Sequence, residues 1–422
     1  MSATTTPVLF SDLGRRAAPP TIARLMTVAI ETPELLSLAA GFTDNRTLPA
    51  GEVADVARSL AAGSSDPEYL QYGTNQGRQG LRRVLGERLR STEPAYSAEQ
   101  LAERMIVTNG SQQALYLAAQ VLCNPGDIVL VDRPSYFVFL EVLLGLGIQA
   151  RSLPTHADGS LDATKLGEML DAMKARGEAD RIRAVYFVSY FSNPSARSLS
   201  AQEKAGIADA LQRRGLTVPV IEDAAYRDLY FQAPHNAPSV LSMEEWGPFP
   251  KLYLSTLTKP FATGLKVGYG VCTHPELLKK LLHVKGHHDF GSANFNQAVL
   301  EKVIADGGFE RQLKRIRPMY AAKMEALHAS LEAAGLERAG WRWNRPDGGL
   351  YLWLEAPSDV DTRLDSRFCK ECLEAGVVYV PGDLCFGDEA PTHFVRLSFG
   401  VLEPNDLAEA GRRFGSVAAR FR

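Results

Sequence analysis

The chain has 422 residues, 45% of them hydrophobic, which allows a sizeable core and more than one lobe. Its 46 basic and 49 acidic residues leave a net charge of −3, so nothing calls for nucleic acid or a membrane surface as a partner. No stretch is apolar for the roughly 18 residues of a membrane span, the N-terminus lacks the basic-then-apolar order of a signal peptide, and five cysteines, an odd number, favour reduced thiols in a cytoplasm.

Residues 1–45, which contain Pro7, Pro19, Pro20 and Pro33, predict an arm with one short helix. The middle of the chain then alternates strand-like and helix-like segments. In chain order these are RMIVT, SQQALYLAAQVL, DIVLVD, YFVFLEVLLGLG, AVYFVS, AQEKAGIADALQRR, VPVIED, KLYLST and KVGYGV. Strands that alternate with helices predict an α/β fold, with a mostly parallel sheet covered by helices on both faces.

Beyond residue 275 the pattern is helical, and the segment FERQLKRIRPMYAAKMEALHASLEAAG (309–335) is long enough to link two lobes. Short strands follow in GGLYLWL, VVYV and FVRLSF, with helices between and after them. This predicts a smaller α+β lobe. The chain is therefore expected to divide into an arm (1–45) that packs with the small domain, a large domain (46–305) and a small C-terminal domain (306–422).

Two clusters have the residue types of a metal site. Cys369 and Cys372 form a C-x-x-C, but the surrounding RFCKECLEAG is helical and has no second ligand pair at sensible spacing, which favours two small residues facing partly inward. His283, His287 and His288 lie in LLHVKGHHDF, for which a polar helix end followed by a loop is the better interpretation. These histidines are also candidates to line a cleft.

The segment STLTKPFATGLKVGYG (255–270) carries hydroxyl and amine side chains just after a strand. Thr256, Thr258, Lys259 and Lys266 make a suitable nest for a phosphate with a reactive amine beside it. The carboxyl end of a strand is also where α/β sheets bind ligands. A solvated basic loop would have the same composition, and this segment alone does not decide between the two.

A second anion-binding pattern lies in VTNGSQQAL (107–115), where a strand stops at Asn109 and a helix starts near Ser111. Free N–H groups at a helix start, with the side chains of Ser111 and Gln112, bind phosphate well. An ordinary N-cap, which serine often supplies, explains the same pattern and is favoured for this segment alone.

Polar or aromatic groups also follow other strands. VPVIED ends in Asp223, whose carboxylate is either a simple cap or a partner for a protonated ring nitrogen. Tyr226 comes three residues later and could donate a hydrogen bond to a ring oxygen. Asn193 precedes a proline in YFSNPSARSLS, which is typical of a turn. Tyr136 in VDRPSYFVF is either buried core or stacked on a flat ring.

Arg396 lies within the apolar strand pattern FVRLSFG (394–400). A charge in such a strand needs a partner. That partner is either an internal acid or a substrate carboxylate bound through both guanidinium nitrogens.

The order and spacing of these segments resemble those of fold-type-I enzymes that use pyridoxal 5'-phosphate (PLP), specifically the class I/II aminotransferases. The branch most similar in appearance contains the kynurenine and 2-aminoadipate aminotransferases. Each segment alone is a weak to moderate signal, but six in register are hard to obtain by accident. The resemblance implies the PLP-dependent transferase fold, PLP bound in the large domain, and transfer of an amino group between an amino acid and a 2-oxo acid.

Carried over position by position, the resemblance implies a role for each candidate. Lys259 holds PLP as a Schiff base and later moves the proton between Cα and C4′, and Asp223 pairs with the pyridine nitrogen. Asn193 and Tyr226 hydrogen-bond the ring hydroxyl oxygen, and Tyr136 stacks on the ring. The residues implied to bind the phosphate are Ser111, Gln112, Thr256, Thr258 and Lys266.

For the substrate, the resemblance implies that Arg396 binds the α-carboxylate, with Asn193 and the backbone at Gly41 in LSLAAGF beside it. Tyr72 in LQYGTNQGRQGL resembles the tyrosine that reaches across a homodimer to the partner's phosphate, which implies shared active sites. Arg24 resembles a gating arginine in the N-terminal arm.

Three positions depart from the family pattern. The family usually has arginine seven residues after the Schiff-base lysine, where this chain has Lys266, and lysine is a point charge rather than a planar fork. NPTG reads NPSA from Asn193, and Ala225 stands where this branch usually has proline. These departures bear on phosphate affinity and on the turn, but not on the cofactor itself.

Two alternatives stay open. The same scaffold supports β-elimination by a lyase, an ACC-synthase-like ring closure and PLP-dependent oxidation, and the departures at Lys266 and in NPSA give these modest support. A non-catalytic PLP-binding regulator usually carries an N-terminal DNA-binding domain, for which an arm of 45 residues is expected to leave no room.

Overall fold

The computed structural model describes residues 9–21, 32, 34–63 and 67–421, and thirteen strands lie within them. The strands are β1 (Leu36–Ser37), β2 (Met105–Asn109), β3 (Ile128–Val131), β4 (Gln149–Ser152), β5 (Ile182–Val188), β6 (Val220–Asp223), β7 (Lys251–Thr256), β8 (Val267–Cys272), β9 (Arg342–Trp343), β10 (Tyr351–Glu355), β11 (Val377–Val378), β12 (Val380–Pro381) and β13 (Phe394–Ser398). The α-helices that lie wholly within these residues are Asp12–Arg16, Ala50–Gly63, Gln79–Arg90, Ala98–Glu103, Gly110–Leu122, Phe137–Leu146, Ala163–Ala175, Ala201–Gln212, Pro275–His288, Asn294–Ala305, Gly308–Ala333, Arg367–Glu374 and Pro404–Ala418.

A seven-stranded sheet with the order β2-β8-β7-β6-β5-β3-β4 forms the centre of the molecule. The strands from β7 to β4 in this order are parallel, whereas β8 is antiparallel to both of its neighbours. All residues of β3, β6, β7 and β8 are buried, because helices cover both faces. The predicted mostly parallel sheet covered by helices is confirmed, and the carboxyl ends of β6 and β7 meet at one edge.

A second, antiparallel sheet with the order β12-β13-β10-β9 lies in the C-terminal part of the chain. The 26-residue helix Gly308–Ala333 precedes it and packs closely on the helix Pro404–Ala418. Gly411 permits this approach, since a Cβ atom there would lie 1.8 Å from Ser330 Oγ. Near the N-terminus, β1 pairs in parallel with β11, which attaches this segment to the C-terminal lobe. The division at 45/46 and 305/306 remains a prediction.

The segment VVYV differs from the single strand expected for it. Val377–Val378 pair with β1, whereas Val380–Pro381 pair with β13, so the two halves belong to different sheets. Tyr379 between them is 1% exposed and donates to the Thr362 carbonyl at 2.7 Å. The chain changes sheets at this tyrosine, which a run of four β-favouring residues does not reveal.

The two clusters that resembled metal sites have ordinary surroundings. Cys369 and Cys372 are buried free thiols on the helix Arg367–Glu374, as expected for small residues that face inward. His283, His287 and His288 are exposed in the last part of the helix Pro275–His288, where a polar helix end was predicted. Within the described ranges, no three His, Cys, Asp or Glu side chains are grouped to hold a metal ion, and no helix is long and apolar enough to cross a bilayer.

Candidate active site

Lys259 follows β7 and points its ammonium group toward the segment that carries Gly41. The Nζ atom donates a hydrogen bond to the carbonyl oxygen of Gly41. Burial, together with the nearby positive charges of Arg396 and Lys266, lowers the pKa of Lys259 to about 8. An amine with this pKa is neutral in an appreciable fraction of molecules near pH 7, so it is able to act as a nucleophile or a base.

Asp223 ends β6 and is 3% exposed. Its carboxylate accepts hydrogen bonds from the Ala225 N–H at 2.9 Å and from the Tyr186 hydroxyl at 3.4 Å. In the described part of the chain it has no cationic partner, and burial raises its pKa to about 6. A buried carboxylate without a cation is costly unless a positive group docks against it.

Arg396 lies in the middle of β13 and is 1% exposed. Its NH1 donates to the side-chain oxygen of Asn193 at 2.8 Å, its NH2 donates to the carbonyl of Ala39 at 2.7 Å, and Nε has no hydrogen-bond partner. No carboxylate pairs with it among the described residues. Of the two partners considered from the sequence, the internal acid is therefore absent there, and a buried guanidinium remains to receive an anion.

Asn193 and Tyr226 converge on a third side chain, Tyr351 of β10. The hydroxyl oxygens of Tyr226 and Tyr351 are 3.1 Å apart, and Nδ2 of Asn193 lies 3.5 Å from the Tyr351 hydroxyl. The Arg396 guanidinium lies 4.4 Å from the centre of the Tyr351 ring. Gly41 adjoins the same hydroxyl, since a Cβ atom there would lie 3.3 Å from it.

The alternative interpretation of Ser111 as an ordinary N-cap is wrong, because the helix already begins at Gly110 and Asn109 occupies the cap position. Asn109 makes no side-chain cap hydrogen bond, so the first N–H groups of this helix are not satisfied by a cap. Gly268 of β8 lies directly against this helix start, and a Cβ atom there would be 2.6 Å from the Ser111 nitrogen. The Gln112 amide oxygen is buried without a hydrogen-bond partner. Rotation of the side-chain amide by 180° would place its NH₂ group at this position as a donor.

Thr256 and Thr258 lie at the same helix start. The Thr256 hydroxyl accepts from the Thr258 N–H at 3.1 Å and donates to the Thr258 hydroxyl at 2.8 Å. Thr258 Oγ1 is in turn 3.7 Å from the point where Gly110 would carry a Cβ atom. The Thr258 hydroxyl proton is therefore free for an external acceptor beside the uncapped helix.

Tyr136, from the segment after β3, and Lys266, at the end of the connection between β7 and β8, complete the set of predicted cofactor residues. Tyr136 directly precedes the helix Phe137–Leu146 and is half-buried, and burial raises its pKa, with further contributions from Tyr351 and Asp223. Lys266 is exposed and has φ of 55°, in the left-handed region. Its charge still acts on Lys259, so it belongs to the electrostatic environment of the site.

Two predicted residues stand apart from this group. Tyr72 is 79% exposed and contacts the ring of Phe290 edge-on, with the ring centres 5.7 Å apart. Arg24 lies outside the described residues. Near Gly41, the carbonyl of Ala39 accepts from Arg396 and the carbonyl of Gly41 accepts from Lys259, and the role of the Gly41 backbone toward a substrate carboxylate stays a prediction.

Tyr351 and Tyr186 are site residues that the sequence did not single out. Each lies inside an apolar strand, GGLYLWL or AVYFVS, where a tyrosine looks like an ordinary core residue. For Tyr351, the sequence contained one signal, a glycine two residues before it. The preceding Gly349 has φ of 78°, and a Cβ atom there would lie 3.0 Å from the Phe191 carbonyl, so this glycine lets β10 approach the Asn193 turn.

Comparison with known proteins assigns the class. Residues 33–414 match the family described as aminotransferase class I and II, and the chain belongs to this family. It is 29% identical to a 2-aminoadipate transaminase of Thermus thermophilus over 91% of this chain and 90% of that protein. It is 26% identical to the aromatic-amino-acid aminotransferase 1 of Thermococcus litoralis over 92% of this chain and 89% of that protein.

The fold agrees with a solved relative. The structure of a Pyrococcus horikoshii kynurenine aminotransferase, in complex with PMP and kynurenine, superimposes with a TM-score of 0.86 at 25% identity and covers 97% of both chains. The protein is thus a PLP-dependent aminotransferase of fold type I, as the resemblance implied.

The residues present fit this cofactor. A protonated ring nitrogen would give the buried Asp223 the cation it lacks, and Lys259 supplies an amine with a lowered pKa. A phosphate would find the uncapped start of the helix Gly110–Leu122 and the free hydroxyl proton of Thr258.

Proposed function

We propose that Lys259 is the amine that binds PLP covalently in this aminotransferase. The observation that carries the proposal is the lowered pKa of Lys259 in a site that also contains an unpaired buried carboxylate, Asp223, and an unpaired buried guanidinium, Arg396. We assign Asp223 to the ring nitrogen, Asn193 and Tyr226 to the ring hydroxyl oxygen, and Tyr136 to the ring face. The phosphate is assigned to Ser111, Gln112, Thr256, Thr258 and Lys266.

The chemistry follows from what each side chain holds or moves. When bound, PLP supplies an aldehyde that joins amines and a ring that takes up the electron pair of the broken Cα–H bond. Lys259 Nζ, neutral once it is released, accepts the Cα proton of the amino donor and delivers a proton again later in the cycle. Asp223 keeps its negative charge beside the protonated ring nitrogen, which satisfies both buried charges.

Arg396 orients the substrate in this proposal. Its NH1 and NH2 already have acceptors on the protein, but Nε has none, and a guanidinium carries five N–H donors in all. An α-carboxylate is the group that an amino acid and a 2-oxo acid share, so one clamp serves both half-reactions. The names of the relatives suggest 2-aminoadipate, aromatic amino acids and kynurenine as the first donors to test.

We further propose a homodimer with shared active sites. Leu70, Tyr72 and Phe290 are large apolar side chains with 68%, 79% and 63% exposure, and Phe295 lies beside the same turn, 6.1 Å from the Tyr69 ring. Exposed apolar groups gathered in one place are typical of protein interfaces.

A cytoplasmic location is also proposed, because all five cysteines are free.

Borohydride reduction followed by peptide mapping tests the assignment of Lys259. The purified protein should be yellow, and reduction should fix the cofactor on the peptide that contains Lys259. Lys266→Ala serves as the matched control, because it removes the neighbouring ammonium and should leave the label on Lys259. Recovery of the cofactor on any other lysine would overturn the assignment.

A donor screen tests the reaction and its substrates. Amino donors are offered with pyruvate or 2-oxoglutarate, and the 2-oxo acid product, the new amino acid and ammonia are all measured. Equal amounts of 2-oxo acid and new amino acid are expected. Ammonia without an amino-acid product would show lyase or oxidase chemistry instead.

A further inference from the structure

Tyr351 joins the residues proposed for the cofactor oxygen to those proposed for the substrate carboxylate. Its hydroxyl lies within hydrogen-bond distance of Tyr226 and Asn193, and its ring lies beneath the Arg396 guanidinium. The residue is 1% exposed, so water does not compete for these contacts. The rings of Tyr226 and Tyr351 meet edge to face, with centres 5.8 Å apart.

Counting protons gives this small network a direction. Each phenol has one O–H donor, and the Asn193 amide nitrogen is only a donor. Because Asn193 Nδ2 is a donor, it cannot accept the Tyr351 proton, and the Tyr226 oxygen at 3.1 Å is the acceptor within reach among the described residues. The Tyr226 hydroxyl has no other hydrogen-bond partner in the described residues. Its own proton is therefore directed to a group from outside the protein.

We propose that Tyr351 is a positioning residue that donates to the Tyr226 hydroxyl and thereby orients and strengthens Tyr226 as a donor to the ring hydroxyl oxygen of PLP. This rests on the function proposed above for Tyr226. Hydrogen bonds in a chain polarise one another, so a phenol that accepts a hydrogen bond is a better donor. Tyr351 acts through Tyr226 and does not itself touch the cofactor oxygen.

The arrangement has a spectroscopic consequence. A hydrogen bond donated to the ring oxygen stabilises the negative charge on that oxygen. The deprotonated form of the bound chromophore is then favoured, so the chromophore loses its proton at a lower pH. The pH midpoint of the visible absorbance therefore falls as the donor strengthens. The charged and titratable groups that act on Tyr226, besides Tyr351, are Arg396 and Tyr136. Asp223 acts on Tyr136 and Lys259 lies near Arg396, and all four groups remain in place in the variants below.

The test is a pH titration of the visible absorbance of four holoenzymes: wild type, Tyr351→Phe, Tyr226→Phe and the double variant. Tyr351→Phe keeps the ring under Arg396 and removes only the hydroxyl. We expect it to raise the midpoint by roughly 0.4 to 1 pH unit, the size of one ordinary hydrogen bond. Tyr226→Phe should raise it further, and adding Tyr351→Phe to Tyr226→Phe should then change nothing.

Tyr379→Phe is the matched control, because it also removes one buried, hydrogen-bonded tyrosine hydroxyl, here one that donates to the Thr362 carbonyl. It should lower thermal stability as Tyr351→Phe does but leave the absorbance midpoint unchanged. If Tyr226→Phe shifts the midpoint and Tyr351→Phe does not, the inference fails and the proposed function stands. If Tyr351→Phe shifts it equally with and without Tyr226, the residue acts directly, which also overturns the inference. If Tyr226→Phe causes no shift, the role proposed for Tyr226 is wrong.

Discussion

The Arg396 guanidinium donates to the side-chain oxygen of Asn193, with NH1 and Oδ1 2.8 Å apart, although the two residues are 203 positions apart in the chain. The arginine comes from a strand of the C-terminal sheet and the asparagine from the turn after β5 of the central sheet. A residue proposed to bind the substrate is thus held by a residue proposed to bind the cofactor. We therefore expect binding of the substrate to affect the surroundings of the cofactor, and binding of the cofactor to affect the position of Arg396.

Arg396→Ala should raise KM for amino acids sharply while the cofactor absorbance stays intact. The loss of a charge-assisted pair with a carboxylate costs about 2–5 kcal/mol. Arg214→Ala is a suitable control, since Arg214 pairs with an internal acid, Asp171, at 2.6 Å. That variant should keep the wild-type KM. Unchanged kinetics in Arg396→Ala would mean that the guanidinium serves only Asn193 and Ala39.

Lys266→Arg should bind PLP as tightly as the wild type or more tightly. Lys266 is exposed and makes no ion pair among the described residues, so a planar guanidinium has room to offer two donors to a phosphate. Equilibrium binding of PLP to the apoenzyme measures the effect. Lys280→Arg, at an exposed helical position, should leave affinity unchanged. Loss of cofactor in Lys266→Arg would show that the pocket is shaped around lysine.

Asp223→Asn should stabilise the cofactor-free protein above pH 6 and weaken PLP binding. The pKa of Asp223 is raised by burial from 3.8 to about 6, so its contribution to stability is complete below pH 3.8 and is lost as pH rises through 6. An asparagine does not ionise and avoids that loss, which is on the order of 1–3 kcal/mol near pH 8. Thermal melts of both apoproteins at pH 4 and pH 8, with PLP titrations, measure the two effects.

Asp44→Asn is the control of opposite sign for this experiment. Asp44 is also buried, which by itself raises its pKa, but hydrogen bonds from Arg46 and Lys323 outweigh burial and hold the pKa below its usual value. Its stabilisation is present above pH 3.8 and is lost in acid, so Asp44→Asn should destabilise the protein at pH 8. If both variants change stability in the same direction at pH 8, the account of Asp223 is refuted.

Tyr72 should act on the active site of the partner subunit. Tyr72→Asp places a negative charge where a phosphate is proposed, and Lys259→Ala removes the covalent amine, so each homodimer should be nearly inactive. In heterodimers formed by co-expression, one site receives both defects and the other receives neither. Part of the activity should therefore return. Verified heterodimers without activity would refute the shared site.

Local patterns in the sequence were enough for the central architecture. The alternation of apolar strands with helical segments predicted the parallel sheet, because the periods of strands and helices are properties of neighbouring residues. The same patterns put Asp223 and Thr256 at the ends of strands, and parallel strands bring their carboxyl ends to one edge. The family resemblance added the reaction and the cofactor, and the comparisons confirmed both.

Other features of the site depended on contacts between distant residues. The sequence left two partners open for Arg396, and only the packing of β13 against the Asn193 turn shows that no acid of the described chain reaches it. Ser111 is a residue type common at helix caps, but the backbone geometry puts the cap two residues earlier, at Asn109. Tyr351 meets Tyr226 from 125 residues away. Such pairings depend on how two sheets pack against each other. This packing produces no periodic pattern or fixed residue spacing in the sequence of either strand.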